Sequence, residues 1–182
     1  MKNYNEKIKR VLITAEDISR AEEETGRILS KEYAGKPVLL VSILKGAFIF
    51  LGDICRCMDI PCRVDFMQTK SYFGGTESSG KVDIIMDLSH DVSKYHVIIV
   101  EDIIDTGRTL SEVIKIIRSR NPLSLKVVTL LDKPAKRKTD LNADISLFTI
   151  PDLFVVGYGL DYDGYYRNLP YIAEYSEYCS TN

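Results

Sequence analysis

Apolar and polar positions along the chain fall into two alternating periods. "PVLLVSI" (37–43), "HVIIV" (96–100) and "KVVTLL" (126–131) are unbroken apolar runs of strand length, the pattern of strands covered on both faces. After the second run, Leu110, Val113, Ile114 and Ile117 recur at i, i+3, i+4 and i+7, the stripe of an amphipathic helix that Asn121-Pro122 ends. Residues 14 to 34 read as another helix. Thr14 caps it with Asp17 three positions on, Ile18, Ala21, Thr25, Ile28 and Leu29 form a rough apolar face, and Gly35 and Pro37 stop it. "AFIFLGDICRCMD" (47–59) suits a buried helix, and "CRVDFMQTK" (62–70) alternates Val64 and Phe66 with polar residues as a half-exposed strand does. "VDIIMDL" (82–88), "ISLFTI" (145–150) and "FVVGYG" (154–159) supply further strands. Strands alternating with amphipathic helices predict an α/β domain with a mainly parallel sheet, whose ligands bind beyond the carboxyl ends of the strands. With no internal repeat or proline-rich linker, residues 1–182 are expected to form one domain.

Composition narrows the function classes. A chain that is 45% apolar and 27% charged with net charge −2 has an ordinary globular make-up, and the near-neutral balance argues against duplex DNA or an anionic membrane surface as bulk partners. It leaves room for a small anion held by a few local cations. No apolar run is long enough to span a membrane, and "MKNYNEKIKRVLIT" has neither the apolar core nor the cleavage site of a signal peptide, so a cytoplasmic location is expected. Cys55, Cys57 and Cys62 lie close together with Cys179 far away; without paired ligand spacings or nearby histidines, reduced thiols are the expected state.

"VIIVEDIIDTGRTL" (97–110) poses a chemical question, because it sets three carboxylates beside an anion-binding loop. "DTGRT" lies between a buried strand and a helix beginning near Thr109. Gly107 permits close backbone approach, Thr106 and Thr109 offer hydroxyls, and the helix start offers free N–H groups, which together make a monophosphate cradle. The stretch lacks the lysine and length of a nucleoside-triphosphate P-loop. Taken alone it also reads as a capped strand-to-helix turn. Glu101 and Asp102 tilt the balance, since two adjacent acids at a strand end need partners, and ribose hydroxyls and a divalent cation are natural ones. A sugar phosphate satisfies both halves. Residues 71 to 81, "SYFGGTESSGK", hold four hydroxylic residues and three glycines and have the composition of a functional lid.

This stretch closely resembles the phosphoribosyl-pyrophosphate signature of the type I phosphoribosyltransferases, and most of all their hypoxanthine-guanine branch, with Asp105 the discriminating position. Further pieces match in order: "LKG" (44–46) resembles the pyrophosphate loop, "SYFGGTESSG" the catalytic lid, "LLDKP" (130–134) the strand end that reads the purine, and "PDLFVVGYGLDYDGYYRNLPYI" (151–172) the C-terminal base and metal segment. The resemblance covers nearly the whole chain. It implies the family's fold, a mainly parallel sheet flanked by helices with a small hood built from the C-terminal and N-terminal segments. It also implies residue roles. Asp105 would be the general base or acid at purine N7, within a 5′-phosphate loop of Asp105, Thr106, Gly107, Arg108 and Thr109. Glu101 and Asp102 would meet ribose and metal, and Asp161 a second Mg²⁺. Lys133 would donate to the 6-oxo group, Phe154 would stack on the base and Val155 contact its edge; without the resemblance, Lys133 reads as a strand-end lysine and Phe154 as core packing. Lys45, Gly46 and Arg167 would hold pyrophosphate across a cis Leu44–Lys45 peptide, and Ser71 and Tyr72 would belong to the lid. One departure is visible: the lid reads Lys70-Ser71-Tyr72 where many bacterial members carry a second serine before the tyrosine.

The implied reaction is Mg²⁺-dependent displacement of pyrophosphate from phosphoribosyl pyrophosphate by N9 of a 6-oxopurine, in a homodimer or homotetramer acting on small molecules without nucleic acid or membrane. Lys133 sees only the 6-oxo group, so hypoxanthine, guanine and xanthine are not ranked. The competing reading is a regulator of the same fold that binds RNA and senses phosphoribosyl pyrophosphate; it would want a basic face, which pI 5.8 does not favour. A methyltransferase-like α/β enzyme lacks the G-x-G element it would need before the first acid.

Overall fold

The computed structural model describes residues 7–71 and 82–176. Nine strands and three helices follow in the order β1 (Ile8–Ile13), α1 (Ala15–Glu32), β2 (Val38–Leu44), α2 (Phe48–Cys57), β3 (Cys62–Ser71), β4 (Val82–Met86), β5 (His96–Ile104), α3 (Arg108–Ser119), β6 (Ser124–Asp132), β7 (Ile145–Thr149), β8 (Val155–Val156) and β9 (Ile172–Tyr175) among the described residues. Six strands make the main sheet in the order β4-β3-β2-β5-β6-β7, parallel except for the antiparallel edge strand β4.

The unbroken apolar runs are explained by helices on both faces. Leu40, Ile98, Val100, Val128 and Leu130 pack with Ile18 and Leu29 of α1 and Phe50, Leu51 and Ile54 of α2. The alternate residues Leu39, Val41, Val97, Ile99 and Val127 pack with Leu110, Val113, Ile114 and Ile117 of α3. Each such fully buried side chain contributes roughly 1.5–3 kcal/mol relative to exposure. Helix α1 starts where the capping residues place it: the Thr14 hydroxyl accepts from the Asp17 backbone N–H at 3.2 Å. It lies so close to α2 that a side chain on Gly26 would meet the Cys57 carbonyl oxygen at 2.4 Å.

The hood is a second sheet of three strands, β1-β9-β8. It joins the two ends of the described chain, Ile8 pairing with Tyr175 and Ile13 with Ile172. Lys9 and Arg10 of β1 each reach Glu174 of β9 at 2.8 Å. "FVVGYG" departs from the single strand its sequence predicts. Only Val155 and Val156 pair, because the chain turns at Gly157 (φ +101°), where a side chain would sit 2.0 Å from the Tyr171 carbonyl oxygen.

Candidate active site

Strand order reverses at β2, which has β3 on one side and β5 on the other, so a crevice opens between the carboxyl ends of β2 and β5. The first wall is the turn after β2, where the Leu44–Lys45 peptide is cis and Lys45 is exposed. The second wall is β5. It continues to Ile104, well past the apolar run ending at Val100, so Glu101 and Asp102 lie within the strand. Asp102 closes on the turn: a side chain on Gly46 would stand 1.6 Å from Asp102 Oδ2. A third segment arrives from the hood, where a side chain on Gly159 (φ +98°) would stand 2.1 Å from the Gly46 carbonyl oxygen. The glycines at 46 and 159 therefore let the Asp102 carboxyl close on the turn and the hood segment meet the turn's backbone.

Charge is concentrated where they meet. Burial raises the Glu101 carboxyl well above its ordinary range, the neighbouring Asp102 adding to the effect. Burial likewise pushes Asp102 up to about 6; its bonds from the Ile103 and Asp102 backbone N–H groups and the Arg167 guanidinium oppose that rise, and Asp161 reinforces it. Arg167 donates to the Gly159 carbonyl at 2.6 Å and pairs with Asp161 Oδ1 at 2.6 Å. Asp161 also accepts from the Gly164 N–H at 2.8 Å.

The loop from Asp105 to Gly107 leads into α3, which begins at Arg108, one residue before the start expected from the sequence. Gly107 (φ +77°) caps the helix with no side-chain bond of its own, and Arg108 N–H reaches the Thr106 hydroxyl only at 3.4 Å. The outer side of the loop is held by groups the sequence reading did not single out. The guanidinium of Arg137 donates to the carbonyls of Asp105 (3.1 Å), Ile104 (3.3 Å) and Leu141 and pairs with the Asp132 carboxylate. Lys138 N–H bonds the Thr106 carbonyl at 3.0 Å. The loop's carbonyls are thus taken up by these donors. Arg137 lies in "KPAKRKTD", a polar run with no periodicity to distinguish a half-buried arginine from a solvated one.

Lys133, at the end of β6, is 5% exposed, and its ammonium bonds the Leu153 carbonyl. Burial lowers its pKa and the nearby Asp105 carboxylate opposes that shift, so the two residues assigned to the purine face each other electrostatically. Phe154 is 53% exposed, which excludes the core-packing alternative; it leans edge-on against Tyr162 at 5.9 Å. Val155 is buried in β8. Ser71 ends β3, and Tyr72, the other lid residue, lies outside the described residues.

Glu101 Oε2 and Asp105 Oδ1 are buried with no hydrogen-bond partner. Such atoms need a donor or a cation. Among the described residues no three His, Cys, Asp or Glu side chains form a ready-made metal cluster. The unpartnered Glu101 oxygen beside Asp102 fits Mg²⁺, which commonly takes one or two carboxylates and completes its shell with substrate phosphates and water.

A phosphoribosyl transferase domain matches residues 13–163. The hypoxanthine-guanine phosphoribosyltransferase of Staphylococcus aureus is 50% identical over 166 residues, covering 91% of this chain and 93% of that one. The Streptococcus pneumoniae enzyme of the same name is 46% identical over 175 residues, 96% of this chain and 97% of that one. The crystal structure of a hypoxanthine phosphoribosyltransferase from Staphylococcus aureus superposes with a TM-score of 0.93 at 46% identity, covering 100% of both chains. The chain belongs to the phosphoribosyltransferase family, and its mostly parallel sheet flanked by helices is the type I fold expected from its motifs.

Proposed function

We propose that this chain is a purine-salvage enzyme that transfers the 5-phosphoribosyl group from phosphoribosyl pyrophosphate to N9 of hypoxanthine or guanine, giving IMP or GMP and pyrophosphate. The observation that carries the reading is the close approach of the 44–46 turn to Asp102, on the strand that leads into the 105–107 loop, with Lys133 electrostatically coupled to Asp105 in that loop. The relatives of nearly equal length bear the name of this activity.

The N–H groups and hydroxyls of residues 105–109 bind the 5′-phosphate. Glu101 and Asp102 accept from the ribose hydroxyls. The Lys133 ammonium leaves the Leu153 carbonyl for the purine 6-oxo group, and it rejects adenine because an amino group would leave the buried cation unmatched. Phe154 stacks on the base and the Val155 backbone meets its edge. As N9 bonds to C1′ and the C1′–O bond to pyrophosphate breaks, the Asp105 carboxylate offsets the positive charge that develops on the base and then takes the N7 proton. Lys45, Gly46 and Arg167 receive the departing pyrophosphate, and Ser71 and Tyr72 belong to a lid that keeps water from C1′. Glu101, Asp102 and Asp161 would hold Mg²⁺ together with substrate oxygens. When bound, Mg²⁺ neutralises charge on the leaving pyrophosphate.

Cytoplasmic residence and a homodimer or homotetramer belong to the same reading. Free thiols at Cys55, Cys57 and Cys62 support a reducing compartment, and among the described residues no helix is long and apolar enough to cross a membrane. The RNA-binding alternative draws no support from the named relatives.

The test is pyrophosphate release with hypoxanthine, guanine, xanthine or adenine in the presence of phosphoribosyl pyrophosphate and Mg²⁺. Release with hypoxanthine or guanine and none with adenine is expected. No release with any 6-oxopurine, together with retention on RNA at low salt, would turn the assignment toward the regulator.

A further inference from the structure

Tyr158 stands one residue before the glycine that touches the 44–46 turn. It is 7% exposed, and its backbone is left-handed (φ +48°), a conformation that a bulky residue holds only where its surroundings enforce it. Its hydroxyl lies within hydrogen-bonding distance of two carboxyl groups, Glu22 Oε1 on α1 and Asp53 Oδ2 on α2, the latter at 2.6 Å.

Proton counting constrains this arrangement. A phenol has one proton to donate, so it can bond one carboxylate as donor; the second contact closes only if that carboxyl carries a proton and donates to the phenol oxygen. Asp53 is partly exposed and pairs with the Arg56 guanidinium at 3.2 Å. Glu22 is 4% exposed and, among the described residues, has no cation of its own at that distance, so of the two carboxyls it is the one whose burial favours the protonated form. The titratable and charged groups facing it are Glu23 on its own helix, Asp53, Arg56 and Cys57 on α2, and Tyr158 in the hood. Their balance agrees: burial pushes Glu22 up to about 7 and the Asp53 charge adds to the rise, against the Tyr158 bond and the Arg56 charge.

We propose that Glu22, Tyr158 and Asp53 form a proton-holding latch in which neutral Glu22 donates to the Tyr158 hydroxyl and Tyr158 donates to Asp53, docking residues 157–160 on α1 and α2 and so positioning Gly159 and Arg167 at the pyrophosphate side of the active site. All three are positioning residues; none lies among the groups assigned to substrate. The link runs through two contacts, the close approach of Gly159 to the Gly46 carbonyl and the bond from Arg167 to the Gly159 carbonyl. Loss of the Glu22 proton sets two carboxylates against one phenol proton, so one contact opens and the turn loosens. Lys133 and Phe154 lie outside residues 157–160, so purine binding is spared.

The inference rests on the assignment of Gly46 and Arg167 to pyrophosphate, so the experiment separates the two. KM for phosphoribosyl pyrophosphate and for hypoxanthine is measured between about pH 6 and 8 for wild type, Glu22→Gln and Tyr158→Phe. Ionisation of the substrates is common to all three proteins and cancels in the comparison. In wild type, KM for phosphoribosyl pyrophosphate carries an added rise through about pH 7, roughly five-fold for one lost hydrogen bond, while KM for hypoxanthine does not. Glu22→Gln lacks that added rise, because the amide donates to Tyr158 at every pH. Tyr158→Phe shows the raised KM throughout. Infrared difference spectra supply a readout independent of turnover: a neutral carboxyl C=O band present in wild type and missing from Glu22→Gln. Arg167→Met is the control for the underlying assignment. If it raises KM for phosphoribosyl pyrophosphate while the wild-type and Glu22→Gln profiles superimpose, the latch is overturned and the pyrophosphate assignment stands. If Arg167→Met leaves that KM unchanged while the infrared band is present, the pyrophosphate assignment fails and takes the positioning role with it.

Discussion

A buried carboxylate oxygen without a hydrogen-bond partner is costly in an empty site and useful in a filled one, and Asp105 has such an oxygen beside the charge of Lys133. Asp105→Asn keeps the shape and loses the base. Its kcat is expected to fall by roughly 10²- to 10⁴-fold, with KM for phosphoribosyl pyrophosphate little changed, and steady-state kinetics on both substrates check this. A near-normal kcat would remove Asp105 from proton transfer. Lys133→Ala is expected to lower kcat/KM for 6-oxopurines by the worth of one charge-assisted bond, about 1.5–3 kcal/mol, without weakening the sugar substrate. A loss confined to phosphoribosyl pyrophosphate would assign Lys133 to the phosphates. Asp105 was legible as a carboxylate beside an anion-binding loop, but its place at the purine and that of Lys133, which alone reads as a strand-end lysine, were legible only through the family resemblance. Glu22 and Arg137 were not legible. Each sits among other charged residues, in "RAEEE" and "KPAKRK", and only the fold decides which member of a charged run turns inward.

Elements divide along the same line. The helices and the central strands follow from local periodicity, which is why Leu110, Val113, Ile114 and Ile117 are the residues α3 buries. The carboxyl end of β5 does not. Pairing with β6 carries the strand on through Ile103 and Ile104, so the acids that look like a strand terminus are residues within the strand. The 105–107 loop just beyond is held by Arg137, whose guanidinium serves three carbonyls and a carboxylate. Arg137→Met fills similar volume but leaves those acceptors unpaired. Breaking a largely buried ion pair of this kind costs on the order of 3 kcal/mol, to be read from urea unfolding midpoints. The loop loses its outer donors in the same change, so KM for phosphoribosyl pyrophosphate is expected to rise as well. Wild-type stability in this variant would show that the acceptors find other donors and that Arg137 does not shape the loop.

At the scale of the whole molecule, alternation of strand and helix gives the α/β class, but nothing local announces that the two ends meet in a second sheet. The ties from Lys9 and Arg10 to Glu174 span more than 160 residues, and β1 alternates too little to read as a strand by itself. The same hood is held to the main body by Tyr158 between α1 and α2, which couples its docking to pH. Glu22 is raised by burial from an ordinary 4.5 to about 7, so the folded chain binds its proton more tightly than the unfolded chain does. The stability this supplies is complete below the unfolded value and is lost as pH climbs through the folded one. Glu101 and Asp102, also raised by burial, act with the same sign, so wild type by itself cannot isolate Glu22. Glu22→Gln removes one titration and keeps a donor to Tyr158. Measured by thermal unfolding without substrate or Mg²⁺, the Tm of wild type is expected to fall relative to Glu22→Gln as pH rises from about 4.5 to beyond 7, then to run parallel to it. A Tm difference constant across that window would mean that Glu22 carries the same charge in the folded and unfolded chain, and that the hood docks without a proton.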